Sequence, residues 1–392
     1  MSEQQRTSIL GDIEASDFLR SYWQKKPLLI RGALPGFESP LGADELAGLA
    51  CEDGIESRLI ERHGDRYVLE NGPFEEKRFA KLATRNWTLL VQDIEKHLPD
   101  LAGHLDLFDF IPHWRIDDLM ISCAAEGGGV GPHVDAYDVF LLQAKGKRRW
   151  SIAEHFDPEI IPDMDVRVLK NFTPEQDWVL EPGDMLYLPP NVAHEGVALD
   201  GDCMTWSIGF RAPSVRDMLS DFTEWLHEKL PEDKMYADPD LAPWEAGNGK
   251  ISPTAFMRMR RLLRDAMLAN DLALDRWFGQ FMTEPKPWLR TEASEELPDE
   301  KAFGRRFEAG DELLRDSRAL LAWSPFEQGA LLFVNGEAWD LPPGLEGMLE
   351  SLCTDRRYTT RTFESTLDGD GVSLLHRLHR EGVLHFASSV ED

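Results

Sequence analysis

The chain has 392 residues, 42% of them hydrophobic and 29% charged, the make-up of an ordinary globular protein too long for a single hydrophobic core, so two or three domains are expected. Its formal net charge is −29, with 21 Lys+Arg against 37 Asp+Glu up to residue 212 and 21 against 34 beyond it, so neither part is a basic island and direct DNA binding is not expected. No run of about eighteen apolar residues occurs, which excludes a membrane helix. The opening "MSEQQRTSILGDIEASDFLR" lacks the basic-then-apolar order of a secretory signal, and Cys51, Cys123, Cys203 and Cys353 form no CxxC pair, so a reducing cytoplasm is the expected location.

In chain order, a helix is expected from about Ser16, then a short strand "PLLIRG" and a turn at "ALPGF". From about 56 to 212, strand-length apolar runs alternate with Gly/Pro/Asp turns: "DLMISCAA", "DVFLLQA", "RRWSIA", "DMLYLPP" and "MTWSIGF". Many short strands without long helices between them predict an antiparallel sandwich or barrel. After "RAPS" the period changes. Val215, Met218, Leu219, Phe222, Trp225, Leu226 and Leu230 keep a 3-4 spacing behind Ser214 as N-cap, and Ser252-Pro253 opens a second helix through Phe256, Met259, Leu263 and Met267. A third helical piece covers "LALDRWFGQFM", and "TEPKPWLR" reads as a linker. The last hundred residues read as a small unit of their own. It holds an Asn335-Gly336 hairpin, short helices at "GLEGMLESLC", "TTRTFESTL" and "GVSLLHRLHREG", and a closing strand "VLHFA", a winged-helix-like order.

The chemistry concentrates in "GPHVDAYDVFLLQAKGKRRW" and "EPGDMLYLPPNVAHEG". Residues i and i+2 of a strand share a face, so His133 and Asp135 present an imidazole and a carboxylate side by side. His194, delivered by a Pro-Pro turn on another strand, is the expected third metal ligand. Two histidines and one carboxylate on one side of an ion leave the other positions open, the facial arrangement of non-haem iron(II) oxygenases. The strand "RRWSI" must turn either Arg148 with Trp150 or Arg149 with Ser151 inward, and an inward arginine needs an anion, which a dicarboxylate co-substrate would supply. The glycines of "EGGGVGPH" are expected to let a substrate backbone approach the metal edge, since no Gly-Lys-Ser/Thr follows to make a phosphate loop. His113 and His155 read as surface residues, and His376 with His379 as a solvated helix face.

The same motifs, with "YWQKKPLLIRGALPGF" and "SIGFRAPS" as flanks, resemble the Jumonji C oxygenases, and among them the bacterial ribosomal oxygenases that hydroxylate an arginine of a large-subunit ribosomal protein. The resemblance implies an α+β chain. A double-stranded β-helix (cupin-like) catalytic domain would span 1–212, a helical dimerisation region 213–285 and an acidic winged-helix-like domain 286–392. It implies His133, Asp135 and His194 as Fe(II) ligands, Arg148 as the grip on the far carboxylate of 2-oxoglutarate, and Ser122 and Thr205 beside that co-substrate, with O2 as oxidant. It further implies a homodimer acting on a basic ribosomal protein, for which the −29 charge is suited. The alternatives are a cupin metalloenzyme that does not use 2-oxoglutarate and a ligand-responsive winged-helix regulator.

Overall fold

The structure, a computed structural model, describes residues 9–241, 251–267, 271–293, 298–326, 328–363 and 367–387. Twelve antiparallel strands up to residue 212 fall into two sheets. They are β1 (Leu28–Ile30), β2 (Ser57–His63), β3 (Arg66–Asn71), β4 (Trp87–Val91), β5 (Ile116–Ala124), β6 (His133–Val134), β7 (Asp138–Lys145), β8 (Arg148–Ala153), β9 (Gln176–Leu180), β10 (Met185–Leu188), β11 (Ala193–Ala198) and β12 (Cys203–Phe210). The large sheet runs β1-β10-β7-β12-β5-β4-β2-β3 and the small one β6-β11-β8-β9. This is the two-sheet barrel expected from the run of short strands.

The central strands of the large sheet are buried on both faces, and their sequences show why. Along β12, Met204, Trp206, Ile208 and Phe210 enter the main hydrophobic core, whereas Thr205, Ser207 and Gly209 face a cavity inside the barrel. Along β5, Leu119, Ile121 and Cys123 enter that core, whereas Asp118, Met120 and Ser122 face the cavity. The period of two thus sorts bulk from chemistry within single strands. The core side is closed by the helix Ala15–Ser21, whose Phe18 is fully buried against Phe140, Tyr187 and Phe110. Burying each such large side chain contributes roughly 1.5–3 kcal/mol.

Packing groups the chain up to Ala212 with 285–319 and 350–392 in one unit, and 213–284 with 320–349 in another. In the first unit, β13 (Leu313–Arg315) pairs with both β17 (Arg357–Tyr358) and β18 (Leu384–Phe386). The helices Glu300–Glu308 and Gly369–Arg380 pack there through Phe303, Phe307, Leu375 and Leu378. In the second unit, the sheet β14 (Leu321–Phe326), β15 (Gly329–Val334), β16 (Glu337–Leu341) turns at Asn335-Gly336, both with positive φ as a two-residue hairpin requires. Helix Val215–Lys229 begins at Ser214, whose side chain accepts from the Asp217 amide, and helices Pro253–Met267 and Asp271–Thr283 follow.

Four expectations are corrected. "TEPKPWLR" is anchored from Lys286 onward: Lys286 pairs with buried Asp93 at 2.5 Å and Leu289 is buried, because that stretch supplies both a cation and an apolar side chain to the barrel unit. "TTRTFESTL" forms only a 3-10 turn at Thr360–Phe363, and its residues 364–366 lie outside the described residues. His379 is buried between Phe303 and Phe386, with Nδ1 on the Leu384 carbonyl, and His376 Nε2 meets the Pro298 carbonyl, so this pair packs a core instead of a solvated face. His113 is mostly buried, its Nε2 2.7 Å from Asp109 Oδ1, whereas His155 is exposed.

Candidate metal centre

Strand β6 is two residues long, yet it is paired so that His133 lies directly opposite His194 on β11. The turn before β11 is fixed at Asn191, which takes a left-handed conformation and donates its amide to the Asp135 carbonyl at 2.8 Å. Residues distant in sequence are thereby brought onto one face. Asp135 Oδ2 lies 3.8 Å from His133 Nε2 and 3.5 Å from His194 Nε2, and the two imidazole centroids are 4.2 Å apart. Donor atoms about 2.1 Å from a shared ion sit about 3 Å or more apart when they subtend a right angle or more, so this set admits a metal.

Tautomers settle the donors. His133 Nδ1 is 2.9 Å from the Gly131 carbonyl and His194 Nδ1 is 3.0 Å from that of Val192. Each Nδ1 therefore carries the proton and each Nε2 keeps its lone pair for an ion. Burial foremost, and then the neighbouring His133, push the His194 pKa down to about 4, with Asp135 acting the other way. That imidazole is neutral at pH 7, the form in which it ligates.

The triad lines a cavity of about 410 Å³ together with Arg148, Ser122 and Thr205. The parity of β8 is resolved: Arg148 and Trp150 are buried, and Arg149 is exposed. Arg148 is 5% exposed, its Nε and Nη2 have no hydrogen-bond partner, and its guanidinium lies 5.7 Å from the Trp150 ring centroid. A buried cation without a counter-charge is costly, so the cavity is built for an anion there. Ser122 and Thr205 are cross-strand partners on β5 and β12. The Ser122 hydroxyl lies 3.4 Å from the Thr205 carbonyl, and the Thr205 hydroxyl donates to Gln143 Oε1 at 3.2 Å. The glycine expectation is corrected. A Cβ at Gly128 would fall 2.0 Å from the Trp87 carbonyl oxygen, and one at Gly129 2.3 Å from that of Gly196, so these glycines admit the chain's own backbone and not a substrate's.

Sequence reasoning missed the cavity's other charged end. Asp118 is half-buried on β5, its Oδ2 is buried with no hydrogen-bond partner, and desolvation, then Asp117 and Glu95, push its pKa up to about 7 against the opposing Lys96. Four residues from Ser122 on the same face, it lies about 13 Å along the strand. A Cβ at Gly209 would approach Asp118 Oδ1 at 3.1 Å and the Tyr137 ring at 3.9 Å, so the missing side chain leaves room over this carboxylate. The signal was present in the alternation Asp118, Met120, Ser122, but "DDLM" read alone offers two aspartates and no means to choose the inward one.

The comparisons with known proteins agree with this geometry. A JmjC domain is matched over residues 105–218 and a ROXA-like winged helix over 266–385. The chain is 33% identical over 372 residues to the ribosomal protein uL16 3-hydroxylase of Escherichia coli, covering 94% of this chain and 97% of that one. It is 34% identical over 334 residues to a probable ribosomal oxygenase of Haemophilus influenzae, covering 82% and 81%. The structure of Escherichia coli YcfD, a ribosomal oxygenase in complex with cobalt and 2-oxoglutarate, superposes with a TM-score of 0.83 at 31% identity, covering 96% of this chain and 99% of that one. With a full-length relative at this identity, a JmjC barrel and a ROXA-like winged helix, the chain belongs to the ribosomal oxygenase family.

Proposed function

We propose that this chain is an Fe(II)- and 2-oxoglutarate-dependent protein hydroxylase that inserts oxygen at carbon 3 of an arginine in a large-subunit ribosomal protein, uL16 being the first candidate from its relative's name. The observation that carries the reading is the coexistence, in one cavity, of a ready two-His, one-carboxylate donor set and a buried guanidinium without a partner. His133 Nε2, His194 Nε2 and Asp135 would hold ferrous iron. With 2-oxoglutarate and O2 such an ion supplies oxidative decarboxylation to succinate and carbon dioxide, coupled to hydroxylation of a C–H bond.

The chain's own residues do the rest. Arg148 neutralises the far carboxylate of the co-substrate and orients it, with Ser122 and Thr205 as polar neighbours. Trp150 and Val139 wall the cavity against water. Asp118 receives the substrate guanidinium, whose planar fork matches a carboxylate, with Met120 alongside its aliphatic stem. The separation of Asp118 from the co-substrate end, about 13 Å along β5, suits a long cationic side chain over a short neutral one. The −29 charge draws in a basic protein substrate. A cupin enzyme without 2-oxoglutarate would leave Arg148 buried and unmatched.

Catalysis is assigned to 1–212, self-association to 213–285 and a winged-helix-like accessory role to 286–392. A homodimer is supported by the helix Pro253–Met267, which has no buried residue although Phe256, Met259, Leu263 and Met267 form a continuous apolar stripe, all exposed. Such a face needs a cover, and a second copy presents the same apolar stripe. Light scattering of the purified chain tests this, a monomer at micromolar concentration refuting it. A cytoplasmic site of action fits a ribosomal substrate; no helix among the described residues is long and apolar enough to cross a membrane.

The deciding assay incubates the chain with ferrous iron, 2-oxoglutarate and a uL16 fragment. Succinate release matched by a one-oxygen mass gain on arginine supports the reading. A mass gain without 2-oxoglutarate or without succinate release, or a gain on histidine, refutes it.

A further inference from the structure

Asp118 stands where neither neighbouring strand holds β5 regularly. On one side the pairing with β4 ends at Val91, opposite Ile121. On the other the register with β12 shifts between Ile208 and Phe210, at Gly209. A carboxylate suited to a planar guanidinium is thus carried by a stretch of strand short of backbone partners.

The chain supplies those partners as side chains. After β4, Asp93 takes a left-handed conformation with φ of 56°, and the helical turn Ile94–His97 packs against β5. Glu95 Oε2 accepts the Leu119 amide at 2.9 Å, and Lys96 Nζ donates to the Asp117 carbonyl at 2.8 Å. Residues 117 and 119 present their backbone groups along one edge of the strand. It is the edge that faces β4, since Ala125, of the same parity, donates its amide to the Trp87 carbonyl. Two side chains therefore continue the ladder where β4 leaves it, and their two bonds bracket Asp118.

The clamp is itself held. Lys96 Nζ lies 2.6 Å from Asp93 and 3.3 Å from Glu95. Burial opposes its charge, but Glu95, then Asp93 and Asp118, outweigh burial and keep its pKa above the ordinary lysine value. The remaining members come from beyond residue 285. Lys286 Nζ lies 2.5 Å from Asp93 and 3.5 Å from Glu56, and the Ser317 hydroxyl donates to the Lys96 carbonyl at 3.1 Å.

We propose that Glu95 and Lys96 are positioning residues that hold Asp118 in the orientation a substrate guanidinium requires, and that Lys286 fastens them from the C-terminal region. This role depends on the substrate contact proposed for Asp118 above. A guanidinium fork must meet both carboxylate oxygens in one plane, so a displacement of about 1 Å forfeits much of the match. An ammonium is a point charge and tolerates the same displacement. The segment after the helices thereby takes part in substrate recognition without lining the cavity.

Steady-state kinetics of the full chain with a uL16 fragment tests it, together with inhibition by the same fragment carrying lysine in place of the target arginine. Glu95→Ala is expected to raise the KM of the arginine fragment about tenfold, with kcat and the 2-oxoglutarate requirement within about twofold of the parent. Inhibition by the lysine fragment should weaken less than about threefold. Glu95→Gln keeps an acceptor for the Leu119 amide and should recover most of the loss. In an Asp118→Asn background, Glu95→Ala should add nothing, because its effect passes through that carboxylate. Lys286→Met, at a half-buried position, should act a few-fold in the same direction and decides the matter should Glu95→Ala fail to fold. Equal losses for the two fragments, no recovery by Glu95→Gln, or a full further loss in the Asp118→Asn background would show a fold role alone and overturn the proposal. If Asp118→Asn raises the KM of the arginine fragment while neither Glu95→Ala nor Lys286→Met does, the positioning role falls and the Asp118 contact stands. If Asp118→Asn leaves that KM unchanged, both fall.

Discussion

Two groups of buried charge occupy the barrel unit, and they are built on opposite rules. In the first, Lys96 is almost fully buried yet touches Asp93 at 2.6 Å and Glu95 at 3.3 Å, Lys286 closes on Asp93 at 2.5 Å, and Glu95 accepts the Leu119 amide at 2.9 Å. Burial works against the Asp93 carboxylate, but Lys96 and Lys286 overcome it and hold its pKa below the usual range. In the second, around the cavity, Arg148 is buried and Asp118 half-buried, and both carry buried polar atoms with no partner. Charges that complete one another internally hold the fold. Charges left incomplete inside a cavity describe the ligands that will complete them.

Removing a member of the unfilled set should therefore abolish chemistry and spare the fold. Asp135→Ala deletes the one carboxylate between the two Nε2 donors and is expected to lower turnover by at least about a thousandfold. Circular dichroism and the thermal midpoint should stay close to those of the parent. Retained succinate formation would refute the triad. Removing a member of the filled set should do the reverse. Lys96→Met leaves Asp93 and Glu95 buried against a neutral side chain and is expected to cost about 3–5 kcal/mol in urea unfolding. The variant that remains folded should keep its 2-oxoglutarate requirement.

Arg148→Ala is the sharper test of the contrast, because here a buried cation is removed without orphaning a partner. Loss of the grip on a distal carboxylate should raise the 2-oxoglutarate concentration needed for half-maximal rate about a hundredfold. Stability should not fall as it does for Lys96→Met. A change confined to peptide affinity would show that Arg148 serves the substrate instead.

How far the sequence could be read follows the same division. Strand identity in the barrel was legible because β5, β7 and β12 are strand-length stretches dominated by apolar residues and bounded by turn residues. The triad was legible because an i, i+2 pair and a Pro-Pro turn are local patterns. Which of Arg148 and Arg149 faces inward was not readable from the strand itself, since parity depends on register with β9 and β11, and only the family resemblance chose. Asp118 stayed hidden because its partners in meaning, Gly209 and Tyr137, come from other strands and turns.

The smallest expected effect comes from Asp118→Asn, and it has two opposed parts. A carboxyl whose pKa is pushed up to about 7 binds more protons in the folded chain than in the unfolded one between about pH 4 and pH 7. Stability is therefore lost as pH rises through that window, and the full cost stands above it. An amide carries no charge to bury, so the variant should gain up to about 2–4 kcal/mol at pH 8, with the gain fading toward pH 4; urea midpoints at the two ends measure it. Catalysis should move the other way. Without an ionised partner the substrate guanidinium is held less well, so kcat/KM for the peptide should fall about tenfold while the 2-oxoglutarate requirement stays put. In the parent chain the same group should make peptide kcat/KM climb as pH passes through about 7, a rise that Asp118→Asn flattens. A variant that gained stability but kept its peptide kcat/KM would mean that Asp118 is an unmatched charge with no substrate role, and the cavity would then recognise its substrate from the Arg148 end alone.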